Sequence, residues 1–367
     1  MRTDTAGRLH GITPEITLGL LYELLDSDPH DGLAALVHRA RVAHYTLPAL
    51  VLSVLEKEGV ELGTGADGEL RRARHRAERY AGVLAALPEG GEVIPLKGSL
   101  LAGLYPSGVL RAQGDVDLFV RDEAQLWRTA TALATDGPSE IWVTVMGPEP
   151  TWHLLVSMVW PNEEPVVEPE YRVELANAAL LGDFAAVGVR PALPADTLTA
   201  VLLCLAEERL QRSFHPRDVL DLYVLRPWLP AGADVVAVAD DYRLAPELLE
   251  LCEYASRLLP QGDFGELSRL LSEPAGRERE RRAKMPDRGG PLGLRDSMLR
   301  GQPVHGLPLR HRLRGDLVTA RTHWIDDQAL LHTPVGDYLL TTDKLVSEQA
   351  AATVLALPCM RSEGAAC

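Results

Sequence analysis

The stretch PLKGSLLAGLYPSGVLRAQGDVDLFV, residues 95–120, decides the reading of this chain. Val93 to Leu96 is a short apolar run that reads as extended, and Lys97-Gly98-Ser99 follows it. Leu100 to Tyr105 then suits a helix, and Pro106-Ser107-Gly108 breaks the chain. Val116 to Val120 alternates polar and apolar residues, with β-branched side chains and Phe119, which is the pattern of a strand. Residues i and i+2 of a strand share a face, so Asp115 and Asp117 project together while Val116 and Leu118 point into a core. Two carboxylates a few ångströms apart repel unless a cation lies between them. Paired oxygen ligands of this kind suit a divalent metal, Mg²⁺ or Mn²⁺. The Gly98 and Ser99 amides open a helix, where unpaired N–H groups and the helix dipole favour an anion. Alone, an Asp-X-Asp on a half-exposed strand or a Gly-Ser turn carries little. In this order the two make a phosphate cradle followed by a metal seat, the minimum for moving a nucleotidyl group from a triphosphate.

Working outward, the first 90 residues read as helices. Ile16, Leu18, Leu20, Leu21, Leu24 and Leu25 keep helical spacing, with Thr13 and Pro14 as cap and first-turn residues. A second periodic stretch runs from Leu33 to Leu55, and a third from Glu69 to Leu87. The Gly-rich segment ELGTGADGE, residues 61–69, reads as the linker between them. Downstream, Asp122 to Ala134 is a helix with Asp122 as its N-cap. Ile141 to Met146, Trp152 to Trp160 and Tyr171 to Leu175 are strand candidates. Helices return at 195–212, 217–225 and 246–259. RERERRAK, residues 277–284, reads as a solvated linker, and Ala329–His332 with Tyr338–Thr341 as a hairpin. The organisation expected is a helical region over 1–90, an α/β core over 91–190, a helical region over 191–275, and a linker with a variable tail over 276–367.

Composition narrows the partners. The chain has 367 residues, 46% hydrophobic and 24% charged, as in an ordinary globular protein. Its net charge is −15, which argues against a nucleic-acid acceptor because the overall field repels phosphate. Cys204, Cys252, Cys359 and Cys367 show no metal spacing and read as reduced thiols. There is no secretory signal pattern and no apolar run of membrane length, so a cytoplasmic location is the expectation. Lysine is scarce: among 37 basic residues only Lys57, Lys97, Lys284 and Lys344 are lysines, and Lys97 stands directly before the Gly-Ser turn.

The motifs resemble the nucleotidyltransferase superfamily typified by DNA polymerase β. Within it they are similar to the uncharacterised bacterial nucleotidyltransferase family with an "LKG…YP…R…DhDhhV" signature. The matching residues are Leu96-Lys97-Gly98, Tyr105-Pro106, Arg111 and Asp115-Val116-Asp117-Leu118-Phe119-Val120. The helical segment ending in Arg217-Asp218-Val219-Leu220-Asp221-Leu222 also fits, and the resemblance covers roughly residues 15–260. It implies an α+β fold with a polymerase β-like mixed-sheet core between helical regions. It also implies transfer of a nucleoside monophosphate, with ATP as the expected donor, to a hydroxyl of a small molecule or protein. Asp115 and Asp117 would hold Mg²⁺ (or Mn²⁺) with a third carboxylate from a later strand, for which Glu174 is the best placed; Glu168 and Glu170 flank Pro169 and fit a strand less well. Gly98 and Ser99 would take the triphosphate. Lys97 would neutralise it or lay its stem on the sheet. Arg111 would contact phosphate or form a structural ion pair. The family's Leu-His after the third carboxylate is absent, since Leu175-Ala176-Asn177 stands there. A rival expectation keeps the fold as a non-catalytic module for a partner protein or peptide. Tyr105 and His153 read as core residues, and His215, Asp218 and Asp221 as capping or salt-bridge residues.

Overall fold

A computed structural model describes residues 14–88, 93–286, 292–315 and 317–343. Helices α1 (Leu18–Leu24), α2 (Leu33–Ala43), α3 (Leu47–Lys57) and α4 (Thr64–Ala85) come first. Strand β1 (Val93–Pro95), helix α5 (Gly98–Ala102), strand β2 (Val116–Val120) and helix α6 (Glu123–Ala134) follow. Next are β3 (Glu140–Met146), β4 (His153–Trp160) and β5 (Tyr171–Ala176). Helices α7 (Thr197–Glu207), α8 (Pro216–Leu225), α9 (Gly232–Asp241), α10 (Ala245–Leu258), α11 (Gly265–Ala283) and α12 (Leu294–Leu299) precede β6 (Pro303–His311), β7 (Arg321–Ile325), β8 (Gln328–Thr333) and β9 (Gly336–Thr341). The protein is thus mixed α and β, with a nine-stranded sheet in the order β1-β2-β5-β4-β3-β6-β9-β8-β7. Among the described residues no helix is long and apolar enough to cross a membrane.

The chain folds as two compact units that are not consecutive in sequence. A helical unit takes the chain up to Gly82, then Pro95–Gly114 and Leu193–Pro286. A sheet unit takes Val83–Ile94, Asp115–Ala192 and the chain from Asp287 onward. The boundary between Gly114 and Asp115 therefore falls inside the stretch quoted first.

In the helical unit α10 packs on α8 and α11, α3 packs on α1 and α2, and α5 touches α8. Apolar residues fill the positions these contacts need: Leu36, Leu47, Leu52, Leu220, Leu248, Leu251 and Leu271 are 0–1% exposed. In the sheet unit β2 and β5 run parallel, while the β5–β4, β4–β3, β3–β6, β6–β9, β9–β8 and β8–β7 pairs are antiparallel. Helix α6 lies against β2, β4 and β5 and buries Trp127. Asp122 caps it as expected, its carboxylate accepting the Gln125 N–H.

Several boundaries differ from the sequence reading. The cap of α1 is Thr17, whose hydroxyl accepts the Leu20 N–H, whereas Thr13 lies outside the described residues. The periodic stretch 33–55 is two helices rather than one, because Pro48 has no N–H to continue a helix and suits only its first turn. Segment 61–69 is not all linker, since α4 starts at Thr64. The segment 277–284 forms the end of α11 up to Ala283 rather than a linker. Arg281 and Arg282 both bond Glu278, and Arg282 also grips Glu247 of α10. The charge run thus has ion-pair partners one turn away and on a neighbouring helix. The tail holds the expected β8–β9 hairpin, and also β6 and β7, which extend the sheet beyond β3.

Candidate functional site

In the sheet unit Asp117 and Glu174 stand on the paired strands β2 and β5. Parallel pairing sets Asp117 opposite Glu174, with Val116 opposite Val173 and Leu118 opposite Leu175. Neighbouring strands lie about 4.8 Å apart, so the carboxylates of registered residues lean from the same face. The flanking apolar residues explain the register: Val116, Leu118, Val173 and Leu175 are 1–2% exposed and face the core, while Asp117 and Glu174 are half-buried. Asp115, exposed, precedes β2 by one residue and stands two residues before Asp117. Glu168 and Glu170 lie in the loop before β5, outside the strand pairing.

All of these candidate residues are carboxylates, the hard oxygen donors that Mg²⁺ takes. Mg²⁺ commonly binds through one or two carboxylates and completes its shell with water and substrate phosphate. Among the described residues no three His, Cys, Asp or Glu side chains converge into a ready-made metal cage. The donor set and the register fit such a one- or two-carboxylate seat, and they do not make a closed structural site.

The turn before α5 belongs to the helical unit. Lys97 is its N-cap, with φ +28° and ψ −83°, a left-handed conformation that costs a side-chain-bearing residue energy. Its ammonium forms an ion pair with Glu208. Burial would push the Glu208 carboxyl up, but Lys97 and then Arg212 outweigh this and hold it below the ordinary carboxylate range. Gly98 is tightly enclosed: a Cβ there would stand 3.1 Å from Gln113 Oε1 and 3.7 Å from Arg111 Nη1. The Ser99 hydroxyl lies 3.5 Å from Gln113 Oε1.

Arg111 is the beam of this turn. Its Nη1 donates to the Gly98 carbonyl at 3.2 Å. Its Nε and Nη2 donate to the two oxygens of Asp221 at 2.6 and 2.7 Å, a bidentate pair. The Tyr105 hydroxyl donates to the same carboxylate at 2.7 Å. Burial would lower the Arg111 pKa and raise that of Asp221. Their mutual attraction wins in both cases, so Arg111 stays above its ordinary value and Asp221 below. Of the two expectations for Arg111, the structural pair is the one formed. Tyr105 is buried, as read, and additionally holds Asp221.

His215 is the N-cap residue of α8, and Asp218 bonds its backbone N–H and the Arg212 guanidinium. His153, read as a core residue, opens β4 and is half-buried, and its Nδ1 is buried without a hydrogen-bond partner among the described residues. The sequence reading missed Glu208 as the partner of Lys97 and Asp221 as that of Arg111. These pairs span 111 and 110 residues, and no spacing signal marks them.

Comparison with protein-family models, with curated proteins and with solved structures returns no match for this chain.

Proposed function

We propose that this protein is a metal-dependent nucleotidyltransferase with a polymerase β-like core. It would transfer a nucleoside monophosphate, with ATP as the expected donor, to a hydroxyl of a small molecule or protein. The observation that carries the reading is the registered pair Asp117–Glu174 on parallel strands, with Asp115 two residues upstream. Asp115, Asp117 and Glu174 would supply the carboxylates for Mg²⁺ or Mn²⁺, one or two to an ion, with water and phosphate completing the shell. A metal so held would lower the pKa of an acceptor hydroxyl and offset triphosphate charge. Val116 and Leu118, anchored in the core, fix the backbone on both sides of Asp117. In the helical unit, the role of Gly98 and Ser99 would be to receive phosphate oxygens. Arg111 would act on them through the Gly98 carbonyl, fixing the turn rather than touching phosphate. Lys97 would reach a triphosphate only by giving up Glu208.

A second reading has its own support. Lys97 and Arg111 are both committed to carboxylates, and no metal cage is preassembled among the described residues. This favours a catalytically inactive module that uses the fold to bind a protein or peptide. One experiment separates the two. The full-length protein is incubated with each labelled nucleoside triphosphate, Mg²⁺ or Mn²⁺, and a cell extract, beside an Asp115→Ala/Asp117→Ala variant. Label transfer or pyrophosphate release that the variant loses supports the transferase. If no triphosphate with metal releases pyrophosphate or raises the melting temperature, the transferase reading is abandoned.

A further inference from the structure

The helical unit contains a cation that the readings above leave unused. Arg217 sits in the first turn of α8, four residues before Asp221 and on the same helix face. That carboxylate is already taken: Arg111 occupies both of its oxygens and Tyr105 shares one. Among the described residues Arg217 has no carboxylate partner. Its single hydrogen bond is a long one, 3.4 Å, from Nη2 to the Ala112 carbonyl. Burial, and then repulsion from Arg111, hold its guanidinium below the ordinary arginine value. Its guanidinium is half-buried with no ion pair of its own, and the Asp221 charge that offsets it is held by Arg111, so its burial is only partly compensated.

Two imidazoles accompany it. The rings of His44 and His215 lie 5.3 Å apart, and Tyr45 stacks on His44 at 4.7 Å. Burial and then the nearby Arg217 drive the His44 pKa down to about 3, so this ring is neutral near pH 7. The Thr46 N–H donates to its Nδ1 at 3.2 Å and the Thr46 hydroxyl lies 2.8 Å from the same atom, an arrangement that suits the tautomer with its proton on Nε2. Next to this group Gly114 lets the Tyr45 ring come close, since a Cβ there would fall 1.8 Å from the Tyr45 hydroxyl and move that ring aside. Arg212 contributes little net charge, since it is paired with both Glu208 and Asp218.

We infer that Arg217, with the rings of His44 and His215, forms a seat for a phosphate-type oxyanion on the helical unit. A planar carboxylate would be satisfied by the guanidinium fork alone. Donors on three separate positions, His44 after α2, His215 at the cap of α8 and Arg217 within it, suit a tetrahedral group with several acceptor oxygens. The inference goes beyond the transferase reading and does not depend on it, because an oxyanion seat serves a binding module equally well.

The test uses the full-length protein with EDTA present, so that no divalent metal on the carboxylates contributes. Inorganic phosphate and inorganic pyrophosphate are titrated calorimetrically at constant ionic strength in chloride. Saturable binding is expected, with a rise in melting temperature. Arg217→Gln should weaken it at least tenfold, Arg217→Lys less, and Asp117→Asn not at all. Without anion, Arg217→Gln should melt no lower than the parent, since it removes a partly buried cation that has no ion pair of its own. No saturable binding of either anion by the parent, or equal binding by Arg217→Gln, overturns the seat. Should Arg217→Gln fail to fold, ring-proton NMR of the parent decides: His44 and His215 signals, assigned with His44→Gln and His215→Gln, must shift on adding phosphate, and unmoved signals refute the seat. Failure of the transferase assay with anion binding intact would count against the transferase reading alone.

Discussion

Replacing Asp221 by Ala should be among the most damaging single changes in the helical unit. The Arg111 and Asp221 side chains are 4% and 1% exposed, so the pair is fully desolvated. Removing one member of a buried pair strands the other and costs about 3–5 kcal/mol. The Tyr105 hydroxyl loses its acceptor in the same step. Arg217, four residues earlier on α8, loses the carboxylate that does most to offset its repulsion from Arg111. These additions place the expected loss toward the top of that range. The measurement is urea unfolding followed by far-UV circular dichroism, which reports mainly on the helical unit. Tryptophan fluorescence serves as the contrast, because five of the six tryptophans, all but Trp228, belong to the sheet unit. The pH dependence has a defined sign. The Asp221 pKa is depressed in the folded state, so its stabilisation is complete above the unfolded value of about 3.9. It is lost as pH falls through the lower folded value, and the gap between parent and Asp221→Ala should close there. Arg111→Met/Asp221→Leu should cost far less than Asp221→Ala, since no charge is left stranded. Arg217→Gln should recover part of the loss in the Asp221→Ala background. A cost for Asp221→Ala below about 1 kcal/mol, or a double variant as unstable as the single one, would refute the account of this pair.

Three further outcomes are expected. Glu174→Gln should leave the fold intact, since the residue is only half-buried, yet weaken Mg²⁺ binding to the sheet unit by about tenfold or more and abolish pyrophosphate release; unchanged calorimetric Mg²⁺ titration would remove Glu174 from the ligand set. Gly182→Ala should destabilise the sheet unit by more than about 2 kcal/mol, because Gly182 has φ +69° and its Cβ would stand 2.0 Å from the Val187 carbonyl oxygen, as tryptophan-monitored melting will read. Asp337→Asn should loosen the β8–β9 hairpin by about 2–3 kcal/mol, since Asp337 is bonded to His332 and Arg314. Burial would raise the Asp337 pKa, but His332 and Arg314 hold it down, so the parent's advantage should persist at neutral pH and vanish in acid, as melting temperatures across pH 2–7 will show.

Local pattern was enough for much of the sheet unit. The alternation in residues 116–120 and 171–175 identified β2 and β5 as strands, with Asp117 and Glu174 on their polar positions. Period-2 alternation is a property of neighbouring residues and survives in one dimension. The same holds for Asp122 as the cap of α6, a contact over three residues. Where charge obscured periodicity the pattern failed: the RERERRAK run is helix because Glu247, some 35 residues away, receives Arg282. Strands β6 and β7 escaped for a related reason, since their place is set by β3 and β8 rather than by strong alternation of their own.

The sequence by itself therefore determined the class and the strands that carry Asp117 and Glu174, because each rests on residues close in the chain. Only the tertiary structure decided what the cations do. Lys97 and Arg111, alike candidates for phosphate contact, are held by Glu208 and Asp221, while Arg217 in the α8 motif has no ion pair among the described residues. Charge pairing depends on which side chains folding brings within a few ångströms, and partners more than 100 residues apart leave no trace in local spacing.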